Sequence, residues 1–319
     1  MQTKETKFNE IYLALHRPNN WNGKTILYVH GGPGSHSKDF EDGLYDFKEF
    51  RETEYAYITY DQRGSGRSEI SKQNLTPLSH KNNIEDLVIL IANAAQIFNL
   101  EKIDLLYGHS YGAKLVYDTL WAHSEINIKY LLAGISLYPN DAFNTSLYLD
   151  LFLLKSNQPK EFKEALKIIA DQNKEPYLYS PQIRKLFHSL EKRQLDRQKF
   201  YWANENARNW WNTVNEKSRV KDNDQAYFKI VETFNDEVFN SGSYDPSQLS
   251  QSGKYIIGFH DVLMNGSTTF STKENNIIKF MASSHYPHFE EPELFIQTIR
   301  NIITDEKNNT YNYKNTANI

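Results

Sequence analysis

Three side chains spread along 319 residues could together cleave an acyl bond: Ser110, Asp261 and His285. A serine hydroxyl is a weak nucleophile until an imidazole takes its proton. The imidazole in turn needs a carboxylate to hold its tautomer and stabilise its charged form. Ser110 lies in Gly108-His109-Ser110-Tyr111-Gly112, the spacing G-x-S-x-G. That spacing suits a strand turning abruptly into a helix, where the positions two before and two after the tip must lack a Cβ. The turn would hold the hydroxyl above the sheet, with a helix N-terminus beneath it. Asp261 stands just past an apolar run, in Gly258-Phe259-His260-Asp261, and His285 follows in Ser283-Ser284-His285-Tyr286-Pro287-His288. The chain order is nucleophile, acid, base. His288 is the alternative base and Asp141 the alternative acid; His260 reads as a loop residue. His285 and His288 lack the helical H-E-x-x-H frame of a metal pair, so neither a metal nor a cofactor is implied.

A parallel sheet would bring these residues together. An alternating run, Ile11-Tyr12-Leu13-Ala14-Leu15, reads as a strand. Continuous apolar strands suited to burial on both faces follow at 25–29, 55–60 and 103–107, then at 129–137, 254–259 and 276–280. Helical periodicity predicts helices over 78–98 and 112–123, and a last one over 294–303. The run at 25–29 leads into His30-Gly31-Gly32-Pro33-Gly34. Such a turn lets the backbone bend close over the sheet's C-terminal edge, where an N–H could face a developing oxyanion. The strand at 55–60 ends in Asp61-Gln62-Arg63-Gly64-Ser65-Gly66-Arg67-Ser68, which has neither phosphate-loop spacing. Asp61 and Arg63 are expected to tie that turn by hydrogen bonds and a partly buried ion pair.

Between about 140 and 243 strand character disappears. Helices are expected over 161–171, 181–195, 198–211 and 224–239, rich in aromatic and charged residues. This stretch reads as a helical lid (140–243) inserted into a core made of 1–139 and 244–319. Residues 305–319 are polar, Asn-rich and expected to fray.

Composition narrows the function. Lys and Arg number 36 against 40 Asp and Glu, a formal charge of −4, which disfavours a nucleic-acid or anionic-membrane partner. With no cysteine, a thiol nucleophile and disulfides are excluded. No apolar run approaches the roughly 18 residues of a membrane span, and the first ten residues lack a secretory h-region; a cytoplasmic protein is the expectation.

His30-Gly31-Gly32-Pro33-Gly34, the Asp61–Ser68 motif and Gly108-His109-Ser110-Tyr111-Gly112 together resemble the proline iminopeptidase group of α/β-hydrolases. The resemblance covers about 25–115 and 254–300. It implies a mostly parallel sheet with helices on both faces and an inserted helical lid, and a triad matching Ser110, Asp261 and His285. It further implies an oxyanion hole from the backbone N–H groups of Gly32 and Tyr111. The implied reaction is release of an N-terminal residue, proline favoured, from short peptides; an esterase or amidase on small acyl substrates is the alternative. Carboxylates from aromatic-rich lid helices would neutralise the substrate's α-amino group, and Glu205 and Glu232 match best. The chain departs from the family pattern at the nucleophile, Gly-His-Ser-Tyr-Gly in place of Gly-Gly-Ser-Trp-Gly. It departs again at Ser284, where the family has glycine before the histidine.

Overall fold

Strands buried on both faces cannot alternate apolar with polar, and this chain's runs at 25–29 and 105–109 do not. In the computed structural model, which describes residues 1–68, 78–137, 139–171, 197–233, 244–262 and 276–304, both are central strands. An antiparallel pair, β1 (Gln2–Phe8) and β2 (Ile11–Arg17), comes first. Then come β3 (Thr25–Val29), β4 (Ala56–Tyr60), β5 (Leu105–His109), β6 (Lys129–Ala133), β7 (Gly253–Gly258) and β8 (Ile277–Phe280). The eight form one sheet in the order β1-β2-β4-β3-β5-β6-β7-β8. β2 meets β4 antiparallel, and every pairing from β4 to β8 is parallel.

Side chains leave a strand alternately to its two faces. Along β5, Leu106 joins the cluster that contains Leu87 and Leu90 of α3 (His80–Ile97) and Leu115 and Val116 of α4 (Tyr111–Ala122). Leu105 and Tyr107 join the opposite cluster. That one holds Phe40 and Leu44 of α1 (Lys38–Asp46), Phe50 of α2 (Lys48–Arg51), and Phe295 and Ile299 of the C-terminal helix Pro292–Thr304. Each fully buried Leu or Phe contributes about 1.5–3 kcal/mol, so the sheet is gripped from both sides.

Between β6 and β7 the described elements are all helical. They are α5 (Pro139–Asn157), α6 (Pro159–Asp171), a 3₁₀ turn at Arg197–Tyr201, α7 (Glu205–Lys217), α8 (Asp224–Glu232) and a 3₁₀ turn at Pro246–Gln248. The expected helix over 198–211 is broken. Asn204 caps α7 instead, its side-chain oxygen accepting from the amides of Asn206 at 3.0 Å and Ala207 at 3.2 Å. Likewise Asn223 caps α8. The expected helix over 181–195 lies outside the described residues. After β8 come α9 (Pro287–Glu290) and α10 (Pro292–Thr304). Among the described residues no helix is long and apolar enough to cross a membrane.

The expected Asp61–Arg63 pair is replaced by three others. Arg67 donates to Asp61 from Nε at 2.7 Å and to Glu41 from Nη1 at 2.8 Å, while Arg63 pairs with Asp86 of α3. Burial alone would raise the Asp61 carboxyl, but the hydrogen bonds and charge of Arg67 hold it below the usual carboxylate range. Asp61 also accepts the Ser37 amide at 2.8 Å and hydroxyl at 2.7 Å, fixing the start of α1.

Candidate active site

Ser110 lies at the tip between β5 and α4 with φ 55° and ψ −122°, a region that costs a residue with a Cβ about 1–3 kcal/mol. Its surroundings enforce the conformation. A Cβ on Gly112 would lie 2.0 Å from the Val29 carbonyl oxygen, and one on Gly108 would lie 2.6 Å from that of Gly112. The Ser110 amide donates to the Ala133 carbonyl at 2.8 Å, tying the tip to the end of β6.

The His30–Gly34 turn follows β3, the neighbour of β5, and packs directly on the serine. A Cβ on Gly31 would lie 3.1 Å from that of Ser110. His30 secures this turn. Its Nδ1–H donates to the Gly31 carbonyl at 2.7 Å and its Nε2 accepts from the Gln62 amide at 2.9 Å. Burial lowers its pKa to about 4, so the ring is neutral. On the outer side, the Asn223 amide donates to the Gly34 carbonyl at 2.7 Å, so the turn is wedged between Ser110 and α8. Gly32 lies within it, and Tyr111 is the first residue of α4. The Tyr111 hydroxyl is gripped by His80 Nδ1 at 2.9 Å and by Asn83 at 3.0 Å, and His80 Nε2 reaches Asp118 at 2.7 Å.

Asp261 and His285 come together two strands away. Asp261 follows β7 and His285 follows β8; His285 Nδ1–H donates to Asp261 Oδ2 at 2.8 Å. Both are buried, at 2% and 3% exposure, so little water competes for that bond. β6 separates β5 from β7, and it stops at Gly134, with φ +64°. A Cβ there would lie 3.0 Å from His285 Cε1. The chain that carries the Ser110 amide's acceptor, Ala133, thus makes room one residue later for the imidazole. Among the described residues the Ser110 hydroxyl has no hydrogen-bond partner, and such contacts often close only when substrate binds. Gly134 carries no functional mark in the sequence beyond being a glycine inside the apolar run 129–137, where a strand is expected to continue.

The competing residues have other partners. His288 Nδ1 is 2.8 Å from the Tyr107 hydroxyl beneath the sheet edge, and burial holds its pKa well below the usual histidine value. Asp141 lies in α5, a helix and not a loop beside His285; its side chain is outside the described residues. His109, which precedes the serine, is lowered to about 3, first by burial and then by the neighbouring His285, and its Nε2–H donates to the His285 carbonyl at 2.8 Å.

A further carboxylate in this loop is one that sequence patterns do not single out. Glu290, 6% exposed, accepts the amides of Ser284 at 2.8 Å and Tyr286 at 3.3 Å on one oxygen. Its other oxygen accepts those of Ala203 at 2.5 Å and Asn204 at 2.9 Å. The expected amine-binding pair is placed differently. Glu205 is exposed at the first turn of α7, where a carboxylate is favoured by the helix dipole alone. Glu232 ends α8, and its side chain is outside the described residues.

The family profile for the alpha/beta hydrolase fold matches residues 24–120. A provisionally named proline iminopeptidase of Mycoplasma genitalium is 30% identical over 118 residues, 37% of this chain and 35% of that protein. A proline iminopeptidase of Xylella fastidiosa is 31% identical over 116 residues, 36% of this chain and 34% of that protein. The chain spans about a third of the length of these curated relatives. Solved structures agree over nearly the whole chain. A proline iminopeptidase-related protein from Thermus thermophilus has a TM-score of 0.61 at 18% identity, covering 95% of this chain and 96% of that one. A carboxyl esterase from Bacillus coagulans has a TM-score of 0.56 at 14% identity, covering 95% of this chain and all of that one (100%). The chain thus has the α/β-hydrolase fold, and the named relatives it matches over about a third of its length are proline iminopeptidases.

Proposed function

We propose that this chain is a serine hydrolase that releases an N-terminal residue, proline favoured, from short peptides. The observation that carries the reading is the buried Asp261–His285 bond of 2.8 Å, with Gly134 leaving room for the imidazole one residue after Ala133, whose carbonyl accepts from the Ser110 amide. Ser110 Oγ attacks the scissile carbonyl carbon as its proton passes to His285 Nε2. Asp261 holds Nδ1–H and stays ionised. The tetrahedral oxyanion is met by the N–H groups of Gly32 and Tyr111. As the C–N bond breaks, His285 gives its proton to the leaving amine; water then enters by the same route in reverse and frees Ser110. The stretch 140–243 acts as the lid, and Glu232 is the carboxylate retained for the substrate's ammonium group.

One observation favours a second reading. Glu205 is exposed, so one of the two carboxylates expected to neutralise that ammonium is turned to solvent. An esterase or amidase on small acyl groups would not need it. A fluorophosphonate probe should label the wild type and not Ser110→Ala; labelling of both would remove Ser110 as nucleophile. A scan of aminoacyl-coumarins then separates the readings. Turnover of proline-coumarin but not its N-blocked form supports the aminopeptidase, and turnover of simple acyl esters alone overturns it.

A further inference from the structure

The loop bearing His285 and the segment entering α7 are joined at several points. The His285 amide donates to the Tyr201 carbonyl at 3.0 Å, and the Ser284 hydroxyl donates to the Phe200 carbonyl at 3.0 Å. The Trp202 ring stacks on Tyr286, centroids 4.3 Å apart and planes 9° from parallel. At the centre is Glu290. Its oxygens each take two amides, one pair flanking His285 and the other at 203–204.

From this geometry we propose that Glu290 is a positioning residue for His285, its carboxylate fastening the imidazole's loop to the segment that enters α7. The two oxygens of one planar group do two tasks. One fixes the backbone on either side of His285, so the ring's root cannot shift along the loop. The other stops the chain at 203–204, where Asn204 begins α7. A displacement of that segment is therefore passed to the imidazole through four charge-assisted hydrogen bonds. Only a carboxylate can serve, because each oxygen must accept twice; glutamine would present an NH₂ to two N–H donors. The assignment rests on His285 as the base of the proposed hydrolase.

The test compares Glu290→Gln with Glu291→Gln. Glu291 is a useful comparator: it binds the same loop further back, at the Ala282 amide and Ser283 hydroxyl, and touches neither 203–204 nor 284–286. Glu290→Gln should slow fluorophosphonate labelling on the order of 100-fold, the cost of a misplacement near 1 Å. On any substrate that is turned over, kcat should fall while KM holds. Glu291→Gln should retain most of the rate. Hydrogen exchange supplies a readout independent of chemistry: in the wild type the amides of Ala203, Asn204, Ser284 and Tyr286 should open together with one denaturant dependence. Equal slowing in both variants, no slowing in Glu290→Gln, or unlinked exchange of the two amide pairs would overturn the assignment. Should Glu290→Gln not fold, the wild-type exchange decides alone. Failure of the wild type to label would instead remove the serine reading and leave the exchange result standing.

Discussion

At Gly258 one added carbon would lie 1.9 Å from the carbonyl oxygen of Ser284, a backbone atom with no rotamer to escape by. Gly258 ends β7, and Ser284 precedes His285, so the two loops holding the acid and the base touch at this point. Gly258→Ala should cost about 1–3 kcal/mol by overpacking, and the displaced loop should slow serine labelling as well. Gly23 makes the contrast. It has φ +90° and nothing within 4 Å of an added Cβ, so Gly23→Ala meets only backbone strain, about 1–2 kcal/mol, and should label at the wild-type rate. Denaturant midpoints and labelling rates measured together separate the cases. A Gly258→Ala variant that labels normally would show that the contact does not set the position of His285.

At the scale of elements, what is legible in the sequence is what depends on local pattern. Ser110, Asp261 and His285 each follow an apolar strand, and parallel pairing brings strand ends to one edge whatever lies between them. The parts that sequence hides depend on which element faces which. Arg63 and Arg67 are both near enough in the chain to pair with Asp61, and only the packing of α3, which brings Asp86 to Arg63, assigns Arg67 to Asp61 and Glu41. Strand β1 gives no sequence signal because it is a mostly exposed partner of β2 and carries little apolar periodicity. No pattern marks Glu290 in the sequence; its role depends on amides from two separate segments, 203–204 and 284–286, meeting at one carboxylate. The Arg67 cluster then yields a prediction. Removing Arg67 strands two buried carboxylates, so Arg67→Met should cost about 3–5 kcal/mol at neutral pH. Arg67 holds Asp61 below its ordinary value, and the His16 ring 3.8 Å away, together with Arg67's hydrogen bonds and charge, does the same for Glu41, in both cases against burial. Stability from a depressed carboxyl is present above the unfolded value near 4 and lost as pH falls through the folded one. The gap between wild type and Arg67→Met should therefore narrow below about pH 4. A gap constant down to pH 3 would mean that Arg67 acts through packing on the Tyr12 ring, 3.7 Å away, and not through charge.

Across the whole molecule, the sheet's C-terminal edge is lined with imidazoles that burial keeps uncharged. His30 is lowered to about 4 and His109 to about 3, and His288 lies well below its usual value. Each is already committed as a neutral ring: His30 to the Gly31–Gln62 turn, His109 to the His285 carbonyl, His288 to Tyr107. Neutral neighbours leave the proposed base as the ring beside a carboxylate, which is where a proton taken from serine would be stabilised. The same arrangement makes folding sensitive to acid. Unfolded histidines bind protons near pH 6.5, whereas the folded ones do not until pH 3–4, so between those values the unfolded state holds more protons. Stability must fall as pH drops through that window, by about 1.4 kcal/mol per pH unit for each such histidine. This window lies above that of the carboxylates, so the two contributions separate in a pH series of urea midpoints. His30→Asn keeps a side chain able to donate one hydrogen bond and removes one titrating group. It should lower stability at pH 7.5 and flatten the slope between pH 6 and 4.5 by about that amount. An unchanged slope would mean that the His30 ring is protonated in the folded state and that burial does not exclude charge from this edge.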